Sequence, residues 1–489
     1  MTAFDEKRAA AETTRLWGDE ILPVLREYIR IPCVSPSYCP TWAEDGDMDR
    51  AADLLRRWCE ARPLEGLSVE VLRLPGRTPL LLVEVPARDS GEGAGARRAG
   101  SGEGDEPVLL YGHLDKQPEM SGWGEGLGPW APVLDGERLY GRGSADDGYA
   151  VFAALSAIET ARTAGGSHRR CVVLIESSEE SGSPDLPAYL DALGDRLGAP
   201  SLVIALDSGS PTYDRLWATT SLRGLVSAVL EVAILLEGVH SGAAGGIVPS
   251  SFRILRQLLD RIEDSDSGEV ALPELLVEVP AERRSQLRQL ADALGDHIGR
   301  FPMVPGARPM GGGPLDRLVS STWKSSVAVT GADGLPPLSQ AGNVLRPFTR
   351  VKLAVRLPPT CNATRAAEAL ERALCAEPPY GAEVGFHLEA ADDGWNAPAE
   401  PPWLAAAIEE ASRRAYGVPA GRVGEGGSIP FISMLARRFP EADLVVTGVL
   451  GPGSNAHGPN EFLHLPMARQ LTVAVASLLD AHAERAGSE

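Results

Sequence analysis

Cysteine is scarce and unpatterned in this chain: Cys33, Cys39, Cys59, Cys171, Cys361 and Cys375 are the six present among 489 residues, with no C-x-x-C pair. That excludes the dense disulfide framework of small secreted domains and fits reduced thiols in a cytoplasm. Positive charge is also short. The 46 Lys and Arg against 67 Asp and Glu leave −21 at neutral pH, a field that repels nucleic-acid phosphates and anionic membranes. Long apolar runs are missing as well. The longest, around Leu225 to Leu236, is broken by Ser227 and Glu231 and falls short of the ~20 residues a membrane helix needs. The opening Met-Thr-Ala-Phe-Asp-Glu-Lys-Arg is charged and carries no secretory signal. The expectation is a cytoplasmic protein with neither nucleic acid nor membrane as partner.

What remains is a 44% hydrophobic, 23% charged chain, enough apolar material for two or more cores and too much for wholesale disorder. Residues 8–30 and 48–62 repeat apolar side chains at three and four, which reads as amphipathic helices ending before Pro32 and Pro63. Apolar runs at 67–72, 80–85, 107–111, 171–176 and 201–206 alternate with helical patterns at 147–163 and 185–197, the signature of an α/β layered sheet. The Gly-rich stretch 88–106 holds no large apolar side chain and reads as a solvated loop. Near Trp217 the texture changes to strand-like runs (219–236, 323–331, 349–357, 382–389) around helical patterns (250–263, 281–297, 363–375), an inserted α+β domain. Helix and strand alternation resumes from about Pro398 (400–416, 428–438, 443–449, 465–484) and would complete the first sheet.

Three first-domain strands run into His113-Leu114-Asp115, into Glu176-Ser-Ser-Glu179-Glu180 and into Asp207, and ligands of open α/β sheets gather at such carboxyl ends. Gly141-Arg142-Gly143-Ser144-Ala145-Asp146-Asp147-Gly148 adds a Gly-rich turn opening a helix. A histidine with several carboxylates suits Zn²⁺ or Mn²⁺. Taken singly, His-x-Asp at a strand end is ordinarily a hydrogen-bonded turn, and Asp-Asp at a helix start is an ordinary N-cap. Glu179-Glu180 is different, because adjacent carboxylates after an apolar strand repel unless a cation or solvent is near.

These residues resemble the co-catalytic zinc metallopeptidases that include cytosolic non-specific dipeptidases, carnosine dipeptidases, glutamate carboxypeptidases and aminoacylases. The resemblance rests on Tyr-Gly-His-Leu-Asp (111–115), Leu-Tyr-Gly-Arg-Gly-Ser-Ala-Asp-Asp-Gly (139–148), Glu-Ser-Ser-Glu-Glu-Ser-Gly-Ser (176–183) and Ala-Leu-Asp-Ser (205–208). It continues through Val-His-Ser-Gly (239–242), Gly-Glu-Gly-Gly-Ser-Ile-Pro (424–430) and Asn-Ala-His-Gly-Pro-Asn-Glu (455–461), all collinear. It implies an α/β fold of two-domain zinc-peptidase architecture, with a mixed-sheet catalytic domain (1–215 and 395–489) and an inserted α+β lid and dimerisation domain (216–394). It also implies two divalent ions per subunit, Zn²⁺ before Mn²⁺. His113, Asp146 and Asp207 would surround one ion, and Asp146, Glu180 and His457 the other, with Asp146 bridging. Asp115 would accept the His113 ring N–H, and Glu179 would be general base to a metal-bridged water. His240 would stabilise the oxyanion, reaching in trans across a homodimer. Arg356 would take the substrate's carboxylate, with Asn343 and Ser428 beside it.

The implied activity is amide hydrolysis of dipeptides or short peptides with a free C-terminal carboxylate. Gly122-Trp123 and the Glu-Glu-Ser-Gly-Ser run favour the dipeptidase branch. An N-acyl amino acid amidohydrolase, or a deacylase of a specialised metabolite, is the alternative, and a non-catalytic scaffold on the same fold comes third. Gly148 stands where many relatives carry Lys after the paired aspartates, so a positive charge near the bridging carboxylate is lost. The Pro/Gly-rich segment 302–314 would, like 88–106, reshape access. His168, His297, His387, His464 and His482 match no motif and read as structural or solvated.

Overall fold

The computed structural model describes residues 4–88, 106–296, 301 and 303–485. Most of the expected 88–106 loop, together with His297 and Pro302, therefore lies outside the described residues. The chain divides into two compact units, Met1–Thr219 with Ala397–Val423 and Met434–Glu489, and Thr220–Asn396 with Gly424–Ser433. Gly424–Ser433, and Ser428 with it, groups with the second unit although the pattern had suggested a continuous return to the first.

The first unit is built on a six-stranded mixed sheet. Its order is Ser68–Leu72, Leu80–Val85, Cys171–Glu176, Val108–His113, Leu202–Ala205, Asp443–Val446. The last four run parallel, and the first two join antiparallel. Every residue of Val108–His113 and Cys171–Glu176 is buried, which is why these strands read as unbroken apolar runs rather than alternations. Helix Ala150–Thr163, Ala-rich and buried through Ala161, packs between the sheet and the C-terminal helix Leu465–Arg485. A helix apolar all round belongs in an interior. Asp47–Glu60 instead buries one stripe, Met48, Ala51, Ala52, Leu55, Trp58 and Cys59. The 8–30 pattern is interrupted by a wide turn at Leu16–Ile21, between helices Glu6–Arg15 and Leu22–Ile29.

The helix expected from 147 starts at Ala150, and 141–149 form turns ahead of it. Asp146 and Asp147 are thus not its N-cap. A small sheet of Val133–Asp135, Arg138–Tyr140 and Phe462–His464 had no distinct pattern in the sequence.

The second unit carries a four-stranded antiparallel sheet, Ser326–Asp333, Phe348–Leu357, Gly224–Ala233, Glu383–Asp392. Gly224–Ala233 alternates buried and half-buried residues, as a sheet with one covered face must. That face packs Val226, Leu230, Val351 and Leu353 on Ile254, Leu255 and Leu258 of helix Ser251–Leu259 and on Leu370 of helix Ala363–Cys375.

His168, expected to be structural, is buried beside the first sheet. Its Nδ1 bonds the Arg169 carbonyl at 2.8 Å and its Nε2 accepts from Arg162 Nε at 2.8 Å, a pattern only the neutral ring can make. Burial, reinforced by Arg162, pushes its pKa down to about 4. Between the unfolded value of ~6.5 and that depressed value the unfolded chain binds the extra proton, so stability is full above ~6.5 and declines as pH falls, by up to about 3 kcal/mol. Denaturant unfolding from pH 7.5 to 4 should show this acid limb, shallower in His168→Asn. An identical slope in the variant would refute the assignment.

Candidate metal centre

The parallel strands end where the sequence places its acids. His113 closes one strand, Asp207 follows Leu202–Ala205, and Glu179 and Glu180 follow Cys171–Glu176 in a single turn of 3-10 helix, Glu179–Ser181. That turn ends on Gly182, whose φ of 84° is in the left-handed region open to glycine. Asp146 comes from the turns before Ala150, and His457 from a loop in which Asn455, His457 and Asn460 all have positive φ.

These side chains meet as two triads sharing one member. His113, Asp146 and Asp207 offer ligand atoms all within 4.8 Å of one another, and so do Asp146, Glu180 and His457. Asp146 turns one oxygen to each histidine: Oδ1 is 3.4 Å from His113 Nε2 and Oδ2 is 3.0 Å from His457 Nε2. Asp207 Oδ2 lies 3.8 Å from His113 Nε2, and Glu180 Oε2 lies 3.4 Å from His457 Nε2. His113 Nε2, Glu180 Oε1 and Asp147 Oδ1 are buried with no hydrogen-bond partner, whereas buried polar atoms ordinarily find one. A histidine and carboxylates at this spacing, with buried atoms of His113 and Glu180 left unsatisfied, fit divalent cations of the Zn²⁺ or Mn²⁺ type.

The electrostatics agree. Burial, then Asp146, pushes Glu180 up to about 8, and burial raises Asp207 to about 6. Burial and Asp207 push Glu179 well above the carboxylate range. Burial alone would lower His457, but Asp146 carries it up to about 9, and Asp115 and Asp146 likewise outweigh burial at His113. The carboxylates are short of positive charge, which is what bound cations provide.

Asp115 does something the sequence had not suggested. The nearer partner of His113 Nδ1 is the Asp115 carbonyl, at 3.1 Å, with carboxylate Oδ1 at 3.4 Å. The carboxylate itself accepts the backbone N–H groups of Glu179 (3.1 Å) and Glu180 (3.0 Å). It thereby fixes the acidic turn as well as facing the ring. Gln117, absent from the sequence reading, donates to Glu180 Oε2 at 2.6 Å.

Gly148 has no room for a side chain, since a Cβ there would lie 2.1 Å from the Tyr28 ring and 2.4 Å from the Gly143 carbonyl. A buried ammonium nevertheless stands near this loop. Lys116 Nζ donates to the Tyr28 and Ile31 carbonyls at 2.8 Å each, 3.9 Å from the Tyr28 ring centroid, and burial lowers its pKa to about 8. Its stem fills the space a Cβ at Gly143 would take.

The remaining expected residues lie in the second unit. His240 is exposed and pairs with Val344 across a two-residue ladder, while the Asn343 carbonyl accepts the Ser241 N–H at 2.8 Å. His240 Nδ1 accepts the Gly242 N–H at 3.1 Å, so in the neutral ring the proton sits on Nε2. Arg356 donates to Ser428 Oγ at 3.1 Å; among the described residues it has no carboxylate partner.

Residues 109–481 match the model of peptidase family M20/M25/M40, and the chain belongs to that family. It is accordingly a hydrolase of a metallopeptidase family with a mixed α/β, two-domain fold. A cysteinylglycine-S-conjugate dipeptidase of Corynebacterium striatum is 28% identical over 385 residues, 77% of this chain and 81% of that protein. Human carnosine dipeptidase 1 superposes with a TM-score of 0.76 at 21% identity, covering 98% of this chain and 99% of that one. A dinuclear metal binding peptidase of Bacillus subtilis superposes at 0.56 with 14% identity, covering 97% and 99%. Among the described residues no helix is long and apolar enough to cross a membrane.

Proposed function

We propose that this chain is a metal-dependent dipeptidase that hydrolyses the amide bond of dipeptides or short peptides bearing a free C-terminal carboxylate. The observation that carries the reading is the pair of donor triads sharing Asp146 beside the fixed Glu179–Glu180 turn. The names of the relatives, dipeptidases of cysteinylglycine conjugates and of carnosine, favour a dipeptide substrate. Two divalent ions, Zn²⁺ before Mn²⁺, held by His113, Asp146 and Asp207 and by Asp146, Glu180 and His457, would lower the pKa of a water and polarise the scissile carbonyl.

Glu179 takes the proton from the attacking water on its carboxylate and delivers it to the leaving amine nitrogen. A carboxyl that burial and Asp207 hold well above the ordinary carboxylate range keeps its proton more readily than a free one, which suits delivery to the leaving amine. His240 offers its Nε2–H to the developing oxyanion. Arg356, with Ser428 and Asn343, holds the substrate carboxylate, and a half-buried guanidinium with no carboxylate partner among the described residues suits that task. The working form is a cytoplasmic homodimer. The exposed edge strand Ser326–Asp333, with Val329 open to solvent, favours a second copy in the second unit.

Zn²⁺- or Mn²⁺-reconstituted protein, offered dipeptides, tripeptides and N-acyl amino acids with released amine followed, should cleave dipeptides, lose that activity to a chelator and regain it with added metal. Activity confined to acyl amides would replace the reading with an amidohydrolase. No turnover, with no response to metal, would leave a scaffold.

A further inference from the structure

Behind the second triad lies a fully buried ion pair that the reaction does not use. Arg142 Nη1 donates to Glu461 Oε2 at 2.8 Å, with side-chain exposures of 1% and 0%. Removing two charges from water is costly, and a buried pair is often no more stabilising than apolar residues of the same size. Its geometry gives another reason for its presence.

Arg142 spreads its fork over three chain segments. Nε reaches the Pro118 carbonyl at 3.1 Å, Nη1 reaches Glu461, and Nη2 reaches the Gly458 carbonyl at 2.9 Å. Glu461 gathers the Asp146 loop: Oε2 accepts Gly143 N–H, and Oε1 accepts Ala145 N–H and Asp146 N–H, each at 3.2 Å. The three segments tied together carry, one residue away or at the bonded residue itself, Gln117 (which holds Glu180), His457 and Asp146. His457 and Asp146 are two corners of the second triad, and Gln117 holds the third, Glu180. His457 sits at φ 63° between Asn455 and Asn460, also at positive φ, a conformation that persists only when its surroundings enforce it.

The first triad is held differently. His113 is the last residue of a buried strand and its N–H bonds Asp147 Oδ2 at 3.2 Å, while Asp207 follows Leu206, whose N–H bonds the Tyr111 carbonyl at 3.1 Å. The sheet fixes two of its three members.

We propose that Arg142 and Glu461 are a positioning pair that sets the affinity of the Asp146, Glu180 and His457 triad for its ion, leaving the His113, Asp146 and Asp207 triad largely to the sheet. This rests on the two-ion reading above. It makes the second ion the exchangeable one, its affinity set by a brace that touches neither metal nor substrate.

The test is calorimetric titration of chelator-stripped protein with Zn²⁺, without substrate, for wild type, Glu461→Gln, Arg142→Met and Arg142→Lys, with His457→Ala marking the second step. Near-ultraviolet circular dichroism reports the fold. Wild type should take two ions. Glu461→Gln and Arg142→Met should lose at least ~10-fold more affinity in the step that His457→Ala removes than in the other, and Arg142→Lys, which keeps the charge and some N–H donors, should recover part of it. Equal weakening of both steps, no weakening, or loss of the folded spectrum in all three brace variants would overturn the inference. A wild type that takes two ions but cleaves no dipeptide would sink the substrate reading alone. One that takes no ion would sink the metal reading, and this inference with it.

Discussion

Glu179→Gln should lower turnover on a cleaved dipeptide by about 10²–10⁴-fold while leaving bound metal at two equivalents per chain. The substitution keeps the size of the side chain and the backbone bond from Glu179 N–H to Asp115 Oδ1, so the turn should remain in place. What it removes is the group able to take a proton from water and return it to the amine. Glu180→Gln is the informative contrast. Glu180 brings Oε2, which also accepts from Gln117, to 3.4 Å from His457 Nε2 and keeps Oε1 buried without a partner, so its amide should lose metal first and activity as a consequence. Metal analysis beside steady-state rates separates the two. Loss of an ion in Glu179→Gln, or an unchanged rate, would mean that the roles of these adjacent residues have been exchanged.

The two glutamates also show how far the sequence could be read. An apolar strand running into paired acids is visible without a structure, as are His113 and Asp207, because a parallel strand buried on both faces is an unbroken apolar run and its end is abrupt. The main strands of the six-stranded and four-stranded sheets follow from the same patterns, although the single run 219–236 proves to be the end of Trp217–Leu222 and a separate strand, Gly224–Ala233. Partners distant in sequence do not. Arg142 and Glu461 stand 319 residues apart, and nothing periodic joins them; each lies in a quoted motif, yet the motif assigns it no task. Gln117 reaches Glu180 from a loop, where no pattern marks a side chain's direction. The start of the Ala150 helix is not legible because two aspartates look like a cap, whereas tertiary bonds to Glu461 and His113 hold that stretch as turns. The grouping of Gly424–Ser433 with the second unit was hidden for a related reason. Helix Pro430–Arg438 begins in that segment and continues beyond Ser433 with no glycine or further proline to mark the change, and Arg223, whose N–H and Nε bond the Gly427 and Gly426 carbonyls, gives no sign of that link in the sequence.

His240→Ala should cost about 10²–10³ in kcat, the range for losing one oxyanion donor, with metal content unchanged because His240 belongs to neither triad. The free ring already has the tautomer the role needs, since Gly242 N–H occupies Nδ1 and leaves the proton on Nε2. Replacing His240 by Gln, which retains an N–H donor, should recover part of the loss, whereas a merely structural histidine would show its effect in thermal stability. The same variant decides whether the donor serves its own chain. In a symmetric dimer, mixing equal amounts of Glu179→Gln and His240→Ala chains gives mixed dimers in half the population. If His240 acts across the interface, each mixed dimer has one complete site, Glu179 from one chain and His240 from the other, and the mixture should reach about a quarter of wild-type activity. If it acts within its own chain, every site in every dimer lacks one group and mixing restores nothing. Recovery that rises with exchange time and stops when the subunits are cross-linked before mixing would tie the restored rate to shared sites.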